Sequence, residues 1–198
     1  MRAAALLLVL AASSVASADP KPDRAVGSAG NANLESEAHR KGIVLQAGLG
    51  GGLVLGFGIA GVVGNGASGS FRLGRVATEN SLVTLELDLV TPRHAVAATM
   101  DSDTYTDQSA TFMLGGQFYL NQAAWVRLAG GLGVYHGDHR DMGIADVDLV
   151  GPAGAFGAGI EVVRFAHWAL GLEMFTVGMI NKDGLMSSTG FLIDAILY

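Results

Sequence analysis

The stretch that decides the fold runs from Ser109 to His136 and reads SATFMLGGQFYLNQAAWVRLAGGLGVYH. On both sides of a break at residues 121–124, bulky apolar side chains occupy mainly even positions, whereas small or polar side chains occupy mainly odd ones. Alternation with a period of two is typical of β-strands, because successive side chains point to opposite faces. The break predicts a short turn between two long antiparallel strands. A hairpin with one apolar face and one small or polar face is typical of a transmembrane β-barrel.

The same alternation recurs along most of the chain. In LVTLELDLV, residues 82–90, the odd positions carry Val or Leu, and the even positions between them carry Thr84, Glu86 and Asp88. A lipid face and a lumen face require this separation. We predict eight strands, at residues 42–58, 70–77, 82–90, 109–120, 125–136, 150–165, 168–180 and 190–198. Long connections predicted at residues 59–69, 91–108, 136–149 and 181–189 alternate with short turns.

Residues 42–64 are apolar over a length that would also suit a membrane helix. Within residues 43–58, however, the bulky side chains lie mainly at odd positions and the glycines mainly at even positions. Each glycine also costs a helix about 1 kcal/mol relative to alanine. We therefore favour a strand, with a glycine-rich membrane helix that packs through its small residues as the alternative.

The composition indicates an exported protein that meets lipid. Of the 198 residues, 50% are hydrophobic and 15% are charged, so the chain must bury a large core or face lipid. Residues 1–18 combine one basic residue, a short apolar run and a small-residue ending, which predicts a cleaved secretory signal. A retained anchor is the weaker alternative, because the apolar run is too short to span a membrane comfortably. Residues 19–41 are predicted to be a flexible periplasmic leader.

The charge and the cysteine content exclude two classes of function. The formal net charge is −6, and the sequence contains no basic patch, so we expect no nucleic-acid partner. The chain has no cysteine, which excludes disulfide and thiol chemistry. We expect no cofactor.

The strand number, the loop asymmetry, the pattern GGQFYLNQAAWVRLAGGLG and the terminal aromatic residue together resemble one known group of proteins. These are the small eight-stranded outer-membrane β-barrels of Gram-negative bacteria, a group that includes the transmembrane domain of outer membrane protein A. The resemblance covers residues 42–198 and implies an all-β, antiparallel, up-and-down barrel in the outer membrane. The alternation of long and short connections predicts that the short turns and both chain ends lie on the periplasmic side and that the long loops face outward. The resemblance also implies contact with the barrel-assembly machinery during biogenesis. We further expect contact with outer-membrane lipid, and the charge of the acidic outer loops suggests contact with divalent cations that bridge lipopolysaccharide phosphates.

In that family, a terminal aromatic residue on an alternating last strand is the signal that the assembly machinery reads. The resemblance carries this role to Ile196 and Tyr198. Asp194 shares their parity. Either an acid therefore faces lipid, or a β-bulge switches the face along this strand.

Charged residues on the predicted lumen face suggest an ion-pair network. A narrow barrel is largely filled by side chains, and charges inside it are tolerated only when they are paired. We expect two arginines to neutralise three glutamates in a structural network. Its members are Arg72, Arg127, Glu86, Glu161 and Glu173, with Asp88, Gln117 and Tyr119 on the same face. The alternative is a gated pore whose lumen charges select ions.

Four aromatic residues fall at predicted periplasmic strand ends, namely Trp125, Phe165, Trp168 and Tyr198. An interfacial aromatic girdle would explain this placement without a ligand-binding role.

The polar loops hold the side chains that are most capable of chemistry. His136, Asp138, His139 and Asp141 are weak candidates for a metal site or a general base. Ser187 and Ser188, in another predicted outward loop, would offer hydroxyl groups. Asp101, Asp103 and Asp107 have the composition of a calcium loop but lack the glycine and the terminal glutamate of an EF-hand. No metalloprotease motif is present, so a solvated loop is the preferred interpretation.

We expect a non-enzymatic outer-membrane protein with a structural or surface-interaction role through its outward loops. One alternative is a narrow channel for ions or small solutes, and another is a barrel enzyme that modifies lipid A. A soluble lipocalin-like barrel is a further alternative, but it would need an apolar cavity and a polar exterior. Residues 82–90 show the reverse pattern.

Overall fold

The structure is a computed structural model that describes residues 42–59, 62–95, 104–137 and 147–198. The predicted signal, residues 1–18, and the predicted leader, residues 19–41, lie outside the described residues. The strands are β1 (Ile43–Phe57), β2 (Val63–Thr78), β3 (Ser81–Ala95), β4 (Thr104–Thr106), β5 (Gln108–Tyr119), β6 (Ala124–Gly137), β7 (Val147–Arg164), β8 (Trp168–Asn181) and β9 (Gly184–Leu197).

Eight of these strands close into a barrel. Each pairs antiparallel with its neighbours in chain order, and β1 also pairs with β9, from Leu45 opposite Leu197 to Phe57 opposite Leu185. The three-residue β4 only extends the ladder on the end of β3. The predicted all-β, eight-stranded, antiparallel, up-and-down barrel is therefore confirmed.

The glycine-rich first segment is β1, so the helical alternative for residues 42–64 is wrong. Among the described residues, no helix is long and apolar enough to cross a membrane.

The predicted loop at residues 59–69 is wrong, because β2 begins at Val63. Asn65-Gly66 and Ser68-Gly69 signal turns in isolation, yet here they pair with the glycine-rich half of β1. For example, Gly66 lies opposite Gly52. A backbone ladder needs no side chains, so the length of the neighbouring strand decides where β2 begins.

The predicted loop at residues 181–189 is also wrong. Only Lys182 and Asp183 lie between β8 and β9. The Asn181 side-chain oxygen accepts hydrogen bonds from the backbone N–H groups of Asp183, at 2.8 Å, and Gly184, at 2.9 Å. This arrangement closes a tight turn. Ser187 and Ser188 therefore belong to β9 and not to a loop.

The two ends of the barrel differ in their connections. One end, called the turn end, carries the connections at residues 79–80, 120–123 and 165–167, together with Gly42 and Tyr198. The opposite end, called the loop end, carries the connections at residues 58–62, 96–103, 138–146 and 182–183. The two long connections are shorter than predicted, because β3 continues to Ala95 and β7 begins at Val147.

The outward face is apolar on all eight barrel strands. Large hydrophobic side chains are exposed on each of them, and the most exposed include Leu49 (76%), Phe191 (67%) and Leu114 (63%). Such a surface is far more apolar than that of a soluble protein.

The interior divides into layers along the barrel axis. The turn-end core contains Val44, Leu82, Tyr119, Trp125, Ala169 and Ile196. The larger loop-end core includes Val54, Val90, Met113, Tyr135, Phe175, Met179, Met186 and Leu192. Between them lies the charge layer, formed by Arg72, Glu86, Asp88, Arg127 and Glu173, all buried.

Candidate functional site

Arg127 is the centre of the charge layer. Its side chain on β6 is completely buried and contacts three carboxylates. Nε donates to Glu173 Oε1 at 2.7 Å, Nη1 donates to Glu86 Oε2, and Nη2 donates to Asp88 Oδ2 at 3.3 Å. Charge-assisted hydrogen bonds of this kind are about twice as strong as neutral ones.

Arg72 on β2 supports the same carboxylates from another side. Its Nη2 donates to Glu173 Oε2 at 2.5 Å, and its Nε lies 3.9 Å from Glu86 Oε2. The guanidinium carbon lies 5.6 Å from the ring centroid of Trp125, which adds a cation–π contact at the border with the turn-end core.

The charge layer crosses the lumen. Glu86 on β3 and Glu173 on β8 belong to strands on opposite sides of the eight-stranded ring, and Arg127 contacts both carboxylates. Thr84 adds a further hydrogen bond, because its Oγ1 donates to Glu86 Oε1 at 2.6 Å. Side chains from opposite walls therefore meet at this level and fill the interior.

Inward-facing glycines make room for this layer. A methyl group added at Gly157 would lie 2.7 Å from Glu173 Oε1 and 2.8 Å from Arg127 Nε. A methyl group at Gly115 would lie 2.8 Å from Glu86 Oε1. In a barrel this narrow, long side chains from one wall need bare backbone on the facing wall.

Glu161 lies outside the charge layer, so the expectation that Arg72 and Arg127 neutralise it is wrong. It sits at the turn-end part of β7, where Arg164 Nε approaches its Oε2 to 3.1 Å. It also accepts a hydrogen bond from the hydroxyl of Tyr198. The sequence analysis did not predict the contact between Glu161 and Arg164, because side chains three residues apart in a regular strand point to opposite faces. The β-bulge between Glu161 and Val163 makes the contact feasible.

The four residues of the predicted aromatic girdle do not all lie on the outer surface. Trp125 was placed wrongly, because it is only 1% exposed and packs inside the turn-end core. Its odd position in β6, the same parity as Arg127, already indicates the lumen. Phe165 and Trp168 are exposed at the turn end and stack with ring centroids 4.0 Å apart. Tyr198 packs against the turn-end core.

The inward and outward faces of the last strand, β9, are the reverse of those expected. Asp194 and Ile196 are fully buried and point into the lumen, whereas Phe191, Ile193 and Leu197 are exposed. The pairing of β9 with β1 is continuous at this level, without a bulge. Neither alternative for Asp194 is therefore correct, since the acid lies inside. The role of Ile196 and Tyr198 as an assembly signal remains a prediction.

The candidate metal residues are only partly within the described residues, because Asp138, His139 and Asp141 fall outside them. His136 is exposed, and its Nδ1 lies 2.5 Å from Asp148 Oδ1 on the facing strand. Asp107, by contrast, is buried and accepts a hydrogen bond from the Tyr135 hydroxyl. No group of three histidine or acidic side chains suitable for a metal occurs in the part of the chain that the structure describes.

Comparison with solved structures identifies the fold. Neisserial surface protein A matches with a TM-score of 0.61 and 9% identity, over 79% of this chain and 97% of that protein. The chain has the fold of the small eight-stranded outer-membrane barrels. Ail, the attachment invasion locus protein of Yersinia pestis, matches this barrel with a TM-score of 0.52 and 11% identity, over 79% of the chain and 99% of Ail. Ail bound to the heparin analogue sucrose octasulfate matches it with a TM-score of 0.51, 11% identity and the same coverage. Neither protein-family profiles nor curated protein sequences match the chain.

We predict that Arg127→Ala lowers the free energy of unfolding by about 3 to 5 kcal/mol, because three buried carboxylates lose their main partner. Urea unfolding of the protein folded into lipid vesicles would measure this loss. The control is Arg75→Ala, at an exposed position of β2, where about 0.5 kcal/mol or less is expected. Equal losses in the two variants would contradict the assigned role of the charge layer.

We also predict that Gly157→Ala lowers the free energy of unfolding by about 1 to 3 kcal/mol, because the added methyl group overlaps the Arg127–Glu173 pair. Gly154→Ala is the matched control on the same strand. Its methyl group would point outward, with the nearest contact at 3.6 Å from the Ala129 carbonyl oxygen. Unfolding in vesicles should show no loss for this control, and a larger loss at Gly154 than at Gly157 would refute the packing argument.

Proposed function

We propose that the protein is an outer-membrane barrel with a closed interior, which acts without catalysis at the cell surface through the segments at its loop end. The observation that carries this proposal is the bridge from Glu86 through Arg127 to Glu173, which joins opposite walls of the barrel. A barrel filled in this way contributes a rigid scaffold, and its loop end is left to make contacts.

The placement in a membrane is supported by the outward face. Exposed leucine, valine, isoleucine and phenylalanine side chains occur on every barrel strand, whereas the charge layer lies inside. This distribution is the reverse of that in a soluble lipocalin-like barrel, whose cavity is apolar. The fold shared with Neisserial surface protein A and Ail supports the outer membrane as the location.

The orientation is supported by the connections. Outer-membrane barrels have short periplasmic turns and longer extracellular loops. We therefore place the turn end, with Gly42 and Tyr198, in the periplasm. The loop end, with the connections at residues 96–103 and 138–146, then faces the exterior.

The expected surroundings follow from this orientation. The exposed rim of the loop end includes Arg93, Gln108, His136, Asp148 and Lys182, at the level where lipopolysaccharide headgroups would lie. The outward register of β9, with Phe191, Ile193 and Leu197 on its exposed face, is the surface that we propose the barrel-assembly machinery meets during insertion.

Surface exposure of the loop end can be tested with single cysteines, because the chain contains none. We expect a membrane-impermeant maleimide to label Lys182→Cys on intact Gram-negative cells. Glu79→Cys, in the turn-end connection between β2 and β3, is the matched control and should be labelled only after lysis. Labelling of Glu79→Cys alone on intact cells would reverse the orientation and remove the proposed surface role.

A channel is the competing function, and it makes a different prediction. We expect no stepwise conductance when the protein is reconstituted in planar bilayers, because buried side chains fill the charge layer. A wide porin inserted under the same conditions serves as the positive control. Discrete current steps from this protein would show that the lumen conducts and would overturn the closed interior.

A further inference from the structure

A groove opens on the outer surface of the barrel at the loop end of β5, β6 and β7. We call it the upper groove, and its volume is about 220 Å³. Its exposed and half-buried lining residues are Gln108, Ala110, Val134, His136, Asp148 and Val150. The three polar members lie opposite one another in one row at the top, and the three apolar members form the next outward row toward the turn end. The upper groove therefore changes from polar to apolar along the barrel axis.

A second groove, called the lower groove, lies farther toward the turn end on β3, β5 and β6. Its volume is about 430 Å³, and every residue that lines it, including Leu114, Leu128 and Gly130, is apolar or glycine. A methyl group added at Gly130 would lie 3.9 Å from the nearest atom, the Ala153 carbonyl oxygen. The missing side chain therefore leaves a depression in the lipid-facing wall.

The spacing between the polar row and the lower groove matches the depth of one lipid leaflet. His136 is six residues after Gly130 on β6, and at about 3.3 Å per residue this is about 20 Å along the strand. A strand tilt of about 40° converts this length to a depth of about 15 Å. The hydrocarbon core of a bilayer is about 30 Å thick, so one leaflet fills about 15 Å of it. An acyl chain whose headgroup lies at the rim therefore reaches the lower groove.

The rim above the upper groove separates a cation from an acid. Arg93 on β3 is exposed and lies opposite Thr106, which is two residues before Gln108 and so has the same parity. Gln108 lies opposite His136, and His136 lies opposite Asp148. His136 Nδ1 is 2.5 Å from Asp148 Oδ1. The order around the rim is therefore a guanidinium, an amide, an imidazole and a carboxylate.

This order is complementary to a zwitterionic headgroup. A guanidinium binds phosphate through charge-assisted hydrogen bonds, and the amide N–H groups of Gln108 are further donors. A primary ammonium carries three N–H donors, which a carboxylate such as that of Asp148 accepts. A quaternary ammonium has no N–H to donate, and a headgroup with phosphate alone offers Asp148 no cation. The rim therefore favours a phosphate joined to a primary ammonium.

We propose that this strip of the outer surface, from Arg93 and Asp148 at the rim to Gly130 in the lower groove, binds one glycerophospholipid with an ethanolamine headgroup. Its phosphate lies between Arg93 and Gln108, and its ammonium donates to Asp148. One acyl chain follows β5 and β6 from the upper groove to the lower groove. The inference rests on the proposed placement in a membrane but not on the proposed surface role, because the wall of the barrel binds the lipid.

Native mass spectrometry of the protein folded in detergent micelles tests this inference. Phosphatidylethanolamine, phosphatidylcholine and phosphatidylglycerol with identical acyl chains are added separately over a range of concentrations. We expect one phosphatidylethanolamine molecule to remain on each barrel. Its affinity should be about fivefold higher than that of the other two lipids, which is the factor that an exposed ion pair contributes at most.

Two variants at the rim separate the headgroup contacts. Asp148→Asn should abolish the preference for phosphatidylethanolamine over phosphatidylcholine. Arg93→Ala should weaken the binding of all three lipids by about fivefold, because each of them carries the phosphate. Lys182→Ala, in the tight turn between β8 and β9, is the matched control and should bind all three lipids as the wild type does.

Gly130→Leu tests the lower groove, because the new side chain would occupy the depression that the acyl chain fills. This variant should weaken the binding of phosphatidylethanolamine. Gly69→Leu is the matched control on β2, opposite the exposed Leu49, and should leave the affinity unchanged. Equal losses in the two variants would show that the acyl chain does not follow β5 and β6, and would overturn the proposed path.

Three results would overturn the lipid site: equal affinity for the three lipids, an unchanged preference in Asp148→Asn, or no lipid retained by the wild type. Higher affinity for phosphatidylglycerol would show that the rim selects negative charge alone, and would also overturn it. Failure of the wild type to insert into lipid vesicles would overturn the membrane placement and this inference together, whereas the results above would overturn only the lipid site.

Discussion

A single guanidinium, that of Arg127, holds three carboxylates together inside a barrel whose outer surface is apolar. A buried charge needs partners at hydrogen-bond distance, and here they come from β3 and β8, on either side of β6. This requirement fixes the alignment of all three strands. A slip of one residue in β6 would turn Arg127 toward the outer face and bring its apolar neighbours inside. The ion pairs therefore specify the register as well as fill the lumen.

The glycines have opposite consequences on the two faces of the wall. Inside, Gly157 and Gly115 leave bare backbone beneath Arg127, Glu173 and Glu86, so that long side chains fit within a narrow ring. Outside, Gly130 and Gly154 face each other on β6 and β7, where an added methyl group would come no closer than 3.6 Å to any atom. The same residue type is essential for packing at one position and replaceable at the next. Its parity in the strand decides which applies.

The layered interior supports the proposal that the protein makes its contacts outside the lumen. Aromatic and aliphatic side chains make up both the turn-end and the loop-end cores. The charged groups between the two cores form ion pairs with one another. Among the described residues, exposed charged and polar side chains form the rim of the loop end.

The sequence by itself determined the strands and most of their faces, because alternation is a local property that each strand carries. It predicted that Arg72, Glu86, Arg127 and Glu173 point inward. The parity of Trp125 also indicates the lumen, although its position near a strand end suggested a girdle. Only the tertiary structure decided which charges pair, since Glu86 and Arg127 are 41 residues apart and their contact depends on the registers of the intervening strands. The tertiary structure also decided the length of β2 and the start of β9. Glycine and serine favour turns in isolation, but here their backbone groups form hydrogen bonds with a neighbouring strand. The direction of Asp194 was settled in the same way, by the pairing of the last strand with the first.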